Sequence, residues 1–383
     1  MNFEFAAPGR ILFGEGRVGE VPALVAGMGT RALVVEGRSG RAESLVRRLR
    51  EQGTYAATFR VASEPTVSLV EQGTAHGRAE RCDVVVALGG GSVIDAGKAI
   101  AALLTNDAPI REYLEVIGNA RPLANRPAPF IAIPTTAGTG AEVTRNAVLM
   151  AEEEQVKVSL RSALMLPAVA VIDPELTYSL PPAVTASTGL DALTQCIEPF
   201  VSCQHNPLTD ALALEGVRRG ARSLLRAFRH GAELAAREDM AVCSLFGGLA
   251  LANAKLGAVH GFAAAVGGQL AAPHGAVCAR LLPLVMQANV AALRARAPHS
   301  PLLRRYEEVA RLLTGSAGAS IQDGVAFVAE LARDLAIPPL AGYGVTTSHI
   351  PSLVAKAAVA SSTKGNPIVL STAELTQVME WAL

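Results

Sequence analysis

The chain has no surplus of either charge. Over 383 residues, 34 Lys and Arg are matched by 34 Asp and Glu, so no net field favours a nucleic acid or an anionic membrane. No CxxC pair occurs, and the five cysteines, at 82, 196, 203, 243 and 278, form an odd and scattered set. They read as reduced thiols in a cytosolic protein rather than as a disulfide framework or zinc site. The opening residues lack a basic stretch followed by an apolar one, which argues against a secretory leader. No apolar run reaches the ~18–20 residues of a membrane span without Gly, Pro or a charge interrupting it. A soluble, cytoplasmic protein acting on a small molecule, with no nucleic-acid or membrane partner, is the expectation. Aromatic residues are few, 4%, so a cavity lined by Ala and Gly offers room without specifying an occupant. Charged residues are also few, 18%, while half the chain is apolar, which excludes disorder. The length exceeds what one core usually serves and points to two domains.

Histidine is scarce as well, and its placement is informative. Of seven histidines, His260 and His274 lie within Gly257–Gly275, a run made almost entirely of Ala, Gly and Val. An imidazole in such surroundings is either a hydrogen-bonded core residue or a ligand. Pro273 interrupts a continuous helix, so one His is expected on a helix and the other at the following break, both facing one cavity.

In the first half, short β-branched runs alternate with helical periodicity. Strands are expected at Arg10–Phe13, Arg31–Glu36, Ala56–Val61, Cys82–Leu88, Phe130–Ile133 and Ala168–Ile172, and helices at Val18–Val25, Arg41–Gln52 and Thr66–Arg81. That alternation implies a doubly wound parallel sheet. Cys82–Leu88 is apolar on successive residues, as in a parallel strand buried on both faces. It runs into Gly89-Gly90-Gly91-Ser92 and then a helix carrying Asp95. Glycines between strand and helix let a backbone approach an anion, and the helix N-terminus then binds phosphate oxygens. A tight turn is the plainer reading, but the doubly wound context favours a pyrophosphate site. Pro134–Thr144 gathers Thr135, Thr136, Thr139 and Thr144 with two glycines, a set of hydroxyls and N–H groups suited to ribose and phosphate. Lys157, among apolar neighbours, either snorkels to solvent or reaches a ribose hydroxyl.

After Leu180 the β-rich runs stop at Pro181-Pro182, and Ala- and Leu-rich helical text follows. Residues 1–180 are therefore read as a dinucleotide-binding α/β domain and 181–383 as a helical metal and substrate domain. Asp191 and Gln195 stand at i and i+4 on one helical face. Asp191 can simply cap or salt-bridge there. With His260 and His274, however, it completes the first oxygen and nitrogen set sufficient for a divalent metal, and three protein ligands plus substrate is the open arrangement of catalytic sites.

The ordered set of these segments resembles the iron-containing (group III) alcohol dehydrogenase family over nearly the whole length. It comprises Arg10–Gly16, Glu64–Thr66, Gly89–Asp95, Pro134–Thr144, Asp173–Thr177, Gly189–Thr194, Asn206–Asp210, Gly257–His260 and Pro273–Gly275. The resemblance implies a dehydroquinate synthase-like fold, an α/β half followed by a helical half, in a homodimer. A nicotinamide dinucleotide, NAD(P), would then be held by Gly90, Gly91, Ser92, Asp95, the four threonines, Lys157 and Leu176. It also implies Fe2+ or Zn2+ at Asp191, position 195, His260 and His274. Gln195 stands where the family has its first histidine, and Ala264 where many members carry another. NAD-preferring members have an Asp after the second strand, where this chain has Gly37 followed by Arg38. Without a carboxylate to repel a 2′-phosphate, and with a guanidinium beside it, NADP(H) becomes acceptable; the alternative for Arg38 is a solvated loop residue. The implied activity is that of an NAD(P)-dependent alcohol dehydrogenase, equally an aldehyde or ketone reductase, with the metal polarising the substrate oxygen. Loss of imidazole at 195 and 264 leaves two alternatives. One is a metal-independent oxo-acid reductase resembling maleylacetate reductases, with His260 or His274 as general acid. The other is an inactive nucleotide-binding relative.

Overall fold

The computed structural model describes residues 2–270 and 272–383, which divide into two compact units. One comprises Ala6–Thr136 and Gly140–Thr177, the other Tyr178–Leu383. Two short pieces that the sequence boundary assigns to the first half belong instead to the second unit: the chain through Phe5 and the tripeptide Ala137–Thr139. The tripeptide approaches closely because its centre is glycine. A Cβ on Gly138 would stand 2.7 Å from Thr188 Cβ.

The first unit is built on a parallel sheet of β1 (Arg10–Phe13), β2 (Arg31–Glu36), β3 (Tyr55–Arg60), β4 (Val84–Gly89), β5 (Phe130–Pro134) and β8 (Val169–Ile172), in the order β1-β8-β5-β4-β2-β3. Its helices are α1 (Val21–Ala26), α2 (Ala42–Glu51), α3 (Val67–Ala79), α4 (Gly91–Leu103) and the short α5 (Ile110–Tyr113). Ala32, Val34, Val84 and Val86 pack in one core and Leu33, Val35, Val85 and Ala87 in another, so β2 and β4 are buried on both faces and their sequences are continuously apolar. The connection from β2 leads outward to β3, whereas that from β4 leads the other way to β5. Adjacent strands with diverging connections form a switch point, where open α/β sheets bind ligands at the carboxyl ends of the strands. An antiparallel hairpin of β6 (Asn146–Ala151) and β7 (Val156–Arg161) is separate from the sheet. Lys157 lies on its second strand, which the sequence reading does not resolve as a strand.

The second unit is helical: α6 (Pro182–Val201), α7 (Pro207–Arg229), α8 (Leu234–Ala254), α9 (Ala258–Gln269), α10 (His274–Arg296), α11 (Leu302–Thr314), α12 (Ile321–Asp334), α13 (Ile350–Val359) and α14 (Thr372–Ala382). From Gly189 to Val201 every residue of α6 is buried, and the helix packs against α7, α8 and α10. A 98° bend separates α8 from α9, made possible by Lys255 in the left-handed region at φ 60°. α10 is long and apolar enough to cross a membrane, but 78% of its apolar window is buried within the protein, as in a core helix.

Candidate functional site

The α/β unit brings together one group of the sequence-derived residues. Register pairs Glu36 with Leu88, so the loop from Gly37 and the turn at Gly90 leave neighbouring strand ends at the switch point. Gly90 caps α4 with extended backbone and no side chain covers the helix end, leaving the N–H groups of Gly91 and Ser92 without intrahelical acceptors. Gly89 admits no side chain, because a Cβ there would fall 2.5 Å from Val93 Cγ2. Thr135 joins this turn through its N–H, which donates to the Gly89 carbonyl at 2.9 Å, and Thr136 flanks Gly90, whose added Cβ would meet its Oγ1 at 3.5 Å. Gly37 faces Val93 with 3.6 Å to spare for a Cβ, and Arg38 is exposed beside it. N–H groups of the kind that bind anions are thus presented at the switch point.

Other residues named from sequence meet protein groups. Thr144 is buried, its hydroxyl donating to the Ala141 carbonyl and accepting from Lys98 Nζ at 3.0 Å, so it is spent on protein rather than offered to a ribose. Asp95 accepts from the Val148 N–H at 3.2 Å and lies 3.9 Å from Lys98, tying α4 to β6. Lys157 pairs with Glu64 at 2.6 Å. Leu176 accepts from Arg41 through its carbonyl at 2.9 Å, and Thr139 belongs to the helical unit.

Lys98, not singled out in the sequence, organises this loop. Only 1% exposed, it donates to the carbonyls of Ala141 and Asn146, each at 2.8 Å, besides Thr144. Burial pulls its pKa down to about 8, and burial likewise pushes Asp95 up to about 6 and Glu142 up to about 7. Glu36, the last residue of β2, was also overlooked: its Oε2 is buried without a hydrogen-bond partner, while Oε1 lies 3.8 Å from Arg60.

In the helical unit His260 rises from the first turn of α9, and His274 opens α10 directly after Pro273, the helix-then-break arrangement expected. Their rings are 5.5 Å apart. Asp191, on α6, places Oδ1 3.3 Å from His260 Nε2 and 3.9 Å from His274 Nε2. Cys278, one turn after His274, joins them, and one ligand atom from each of these four residues lies within 4.8 Å of the others. Gln195, expected as a metal ligand, donates from Nε2 to the Gly138 carbonyl at 2.9 Å, and its Oε1 is buried without a hydrogen bond.

Glu198 was not foreseen, although it lies seven residues after Asp191 and so on the same face of α6. Its Oε1 accepts the Val259 N–H at 2.8 Å and its Oε2 stands 2.7 Å from His260 Nδ1. Against a carboxylate, Nδ1 carries the proton and Nε2 is directed at Asp191. Asp191 Oδ1, in turn, is buried and has no aligned hydrogen bond. Two acceptors aimed at one point, with a carboxylate behind the imidazole, are what a divalent cation requires and what a neutral core does not tolerate. The donor set therefore fits a metal. Without one, burial disfavours the His260 imidazolium, but Cys278, Asp191 and Glu198 outweigh it and hold the pKa well above the ordinary value. Burial works against the Asp191 carboxylate too, yet His260 and His274 hold its pKa low.

Comparison with known proteins agrees with both halves. Residues 8–174 match the family described as iron-containing alcohol dehydrogenase, and residues 185–383 match its C-terminal region. The chain is 36% identical over 356 residues to the 1,3-propanediol dehydrogenase of Klebsiella pneumoniae, covering 91% of this chain and 88% of that one. It is 34% identical over 388 residues to alcohol dehydrogenase 4 of Saccharomyces cerevisiae strain YJM789, covering 99% and 98%. The crystal structure of a 1,3-propanediol oxidoreductase superposes with a TM-score of 0.92 at 33% identity, over 100% of both chains. With a parallel α/β unit and a helical unit carrying the acid and histidines, the chain belongs to the iron-containing alcohol dehydrogenase family, oxidoreductases that act on alcohols with NAD(P) and a divalent metal.

Proposed function

We propose that this chain is an NAD(P)-dependent alcohol dehydrogenase, working also as an aldehyde or ketone reductase, whose metal is held by Asp191, His260 and His274. The observation that carries the reading is the unpartnered Asp191 Oδ1 facing His260 Nε2. When bound, the metal acts as a Lewis acid on the substrate oxygen and the nicotinamide exchanges a hydride with the substrate carbon. Around these groups the chain binds and orients. Glu198 fixes the His260 ring and tautomer, while Ala258, Val259 and Phe262 on α9 are buried and keep water from the back of the imidazole. His274, 33% exposed, marks the open side. The N–H groups of Gly91 and Ser92 hold the pyrophosphate, and Arg38, with no carboxylate at Gly37, makes NADP(H) the favoured cofactor. Activity measured on protein prepared without chelator, before and after EDTA, tests the metal; full activity in metal-free protein would reject it.

A second reading, a metal-independent oxo-acid reductase with a histidine as general acid, rests on Gln195 and Ala264 standing where the family carries imidazoles. Gln195→His separates the two, because added metal occupancy raises alcohol turnover only if the metal polarises the substrate. A dimer and a cytoplasmic location are proposed from the family resemblance and the composition.

A further inference from the structure

The metal position has a neighbour that the family resemblance did not supply. Cys278 lies one helical turn after His274 on α10, so both side chains leave the same face. Its Sγ is 3.7 Å from His274 Nε2, and the thiol is fully buried.

The distances agree with one coordination sphere. With metal bonds of about 2.0–2.1 Å to N or O and about 2.3 Å to sulfur, tetrahedral ligand atoms stand roughly 3.4–3.6 Å apart. The separations are 3.3 Å for Asp191 to His260, 3.9 Å for Asp191 to His274 and 3.7 Å for His274 to Cys278. At position 195 the amide nitrogen donates to the Gly138 carbonyl at 2.9 Å, and the buried Oε1 makes no hydrogen bond. A buried cysteine alone is ordinarily a small hydrophobe. Here the buried Asp191 Oδ1, which makes no hydrogen bond, lies in the same cluster, and that independent feature suits a cation.

We infer that Cys278 Sγ is a protein ligand of the metal, a thiolate one turn after His274 on the same face of α10. The inference rests on the metal reading above. On binding, the Cys278 S–H gives its proton to solvent as the sulfur–metal bond forms, with no change of oxidation state. Thiolate ligation shifts preference toward zinc and away from an all-nitrogen-and-oxygen iron site.

The test uses the full chain, stripped by chelator and titrated with Co2+ and with Zn2+. Stoichiometric Co2+ should produce sulfur-to-cobalt charge-transfer absorption in the near ultraviolet. Cys278→Ser should lose that band and weaken Zn2+ binding by more than the roughly 10–100-fold typical of an outer-sphere loss, and Gln195→Ala should keep the band. Zinc-edge X-ray absorption of wild type, which needs no variant, should show one sulfur at about 2.3 Å. Stoichiometric metal with only nitrogen and oxygen neighbours overturns the thiolate and leaves the metal reading standing. A chain that retains neither cobalt nor zinc overturns both.

Discussion

In the α/β unit the proposed phosphate cradle is main chain, the N–H groups of Gly91 and Ser92 at a helix end without a side-chain cap, whereas in the helical unit the groups gathered at the proposed metal position, among the described residues, are side chains on α6, α9 and α10. The two materials change differently. A main-chain cradle needs glycines at fixed places and survives almost any substitution elsewhere, so its pattern stays readable. A side-chain cluster can exchange ligands one at a time while the helices hold their positions, and Gln195 and Ala264 stand where the family resemblance implies imidazoles.

The comparison is broken most severely at Asp191. Asp191→Ala should lower kcat/KM by about 10²–10³-fold, equivalent to roughly 3–4 kcal/mol, and empty the metal site, while cofactor titration by fluorescence stays unchanged. If cofactor affinity falls in parallel, the two sites are not independent. Next comes the buried acid of the α/β unit. Folded Glu142 titrates at about 7 against an ordinary 4.5, so the folded state keeps a proton the unfolded chain has released. Its contribution to stability is complete below 4.5 and lost as pH rises through 7, about 3 kcal/mol in all. Denaturant unfolding across that window should show the decline, and Glu142→Gln should reduce it, leaving the lower part to Asp95, whose carboxyl is pushed up to about 6; an unchanged slope would place the titration elsewhere.

How much of this could be read beforehand follows the same division. Arg31–Glu36 is a strand as its apolar run indicates, because a parallel strand buried on both faces writes its environment into every residue, and Arg10–Phe13 is a strand too, though half-buried at the sheet edge. The Gly89–Ser92 turn was equally plain. Thr144 was not, since a threonine's identity does not say which way its hydroxyl points, and Lys98 claims it from inside the unit. Glu198 and Cys278 did leave signals, at seven residues from Asp191 and four from His274. Those spacings acquire meaning only once α6, α9 and α10 converge, which is long-range packing that no local periodicity encodes.

Smaller effects sharpen the comparison. Glu198→Gln should reduce metal affinity roughly 10–100-fold, seen by competition with a chromophoric chelator, with kcat falling less than occupancy once metal is saturating. Gly37→Asp should weaken NADPH by about tenfold or somewhat more, from roughly 1–2 kcal/mol of like-charge repulsion at a screened surface, with little effect on NADH. Arg38→Ala should act in the same direction and less. A wild type that strongly prefers NADH would transfer control of the 2′ position from Arg38 to the buried Glu36 carboxylate.

The tripeptide Ala137–Thr139 carries a consequence for how such a chain can be rearranged in evolution. Counted along the sequence it interrupts the α/β half, yet its Gly138 carbonyl satisfies the buried amide of Gln195 and its backbone lies against Thr188. The helical half is therefore not a cassette that one cut near residue 180 can liberate. A recombination at that point leaves behind the acceptor for Gln195 and opens a gap along α6, one turn from Asp191. An exchange of nucleotide-binding halves must therefore bring a matching glycine loop with the incoming half, because residue 138 and residue 195 are hydrogen-bonded although they sit 57 positions apart.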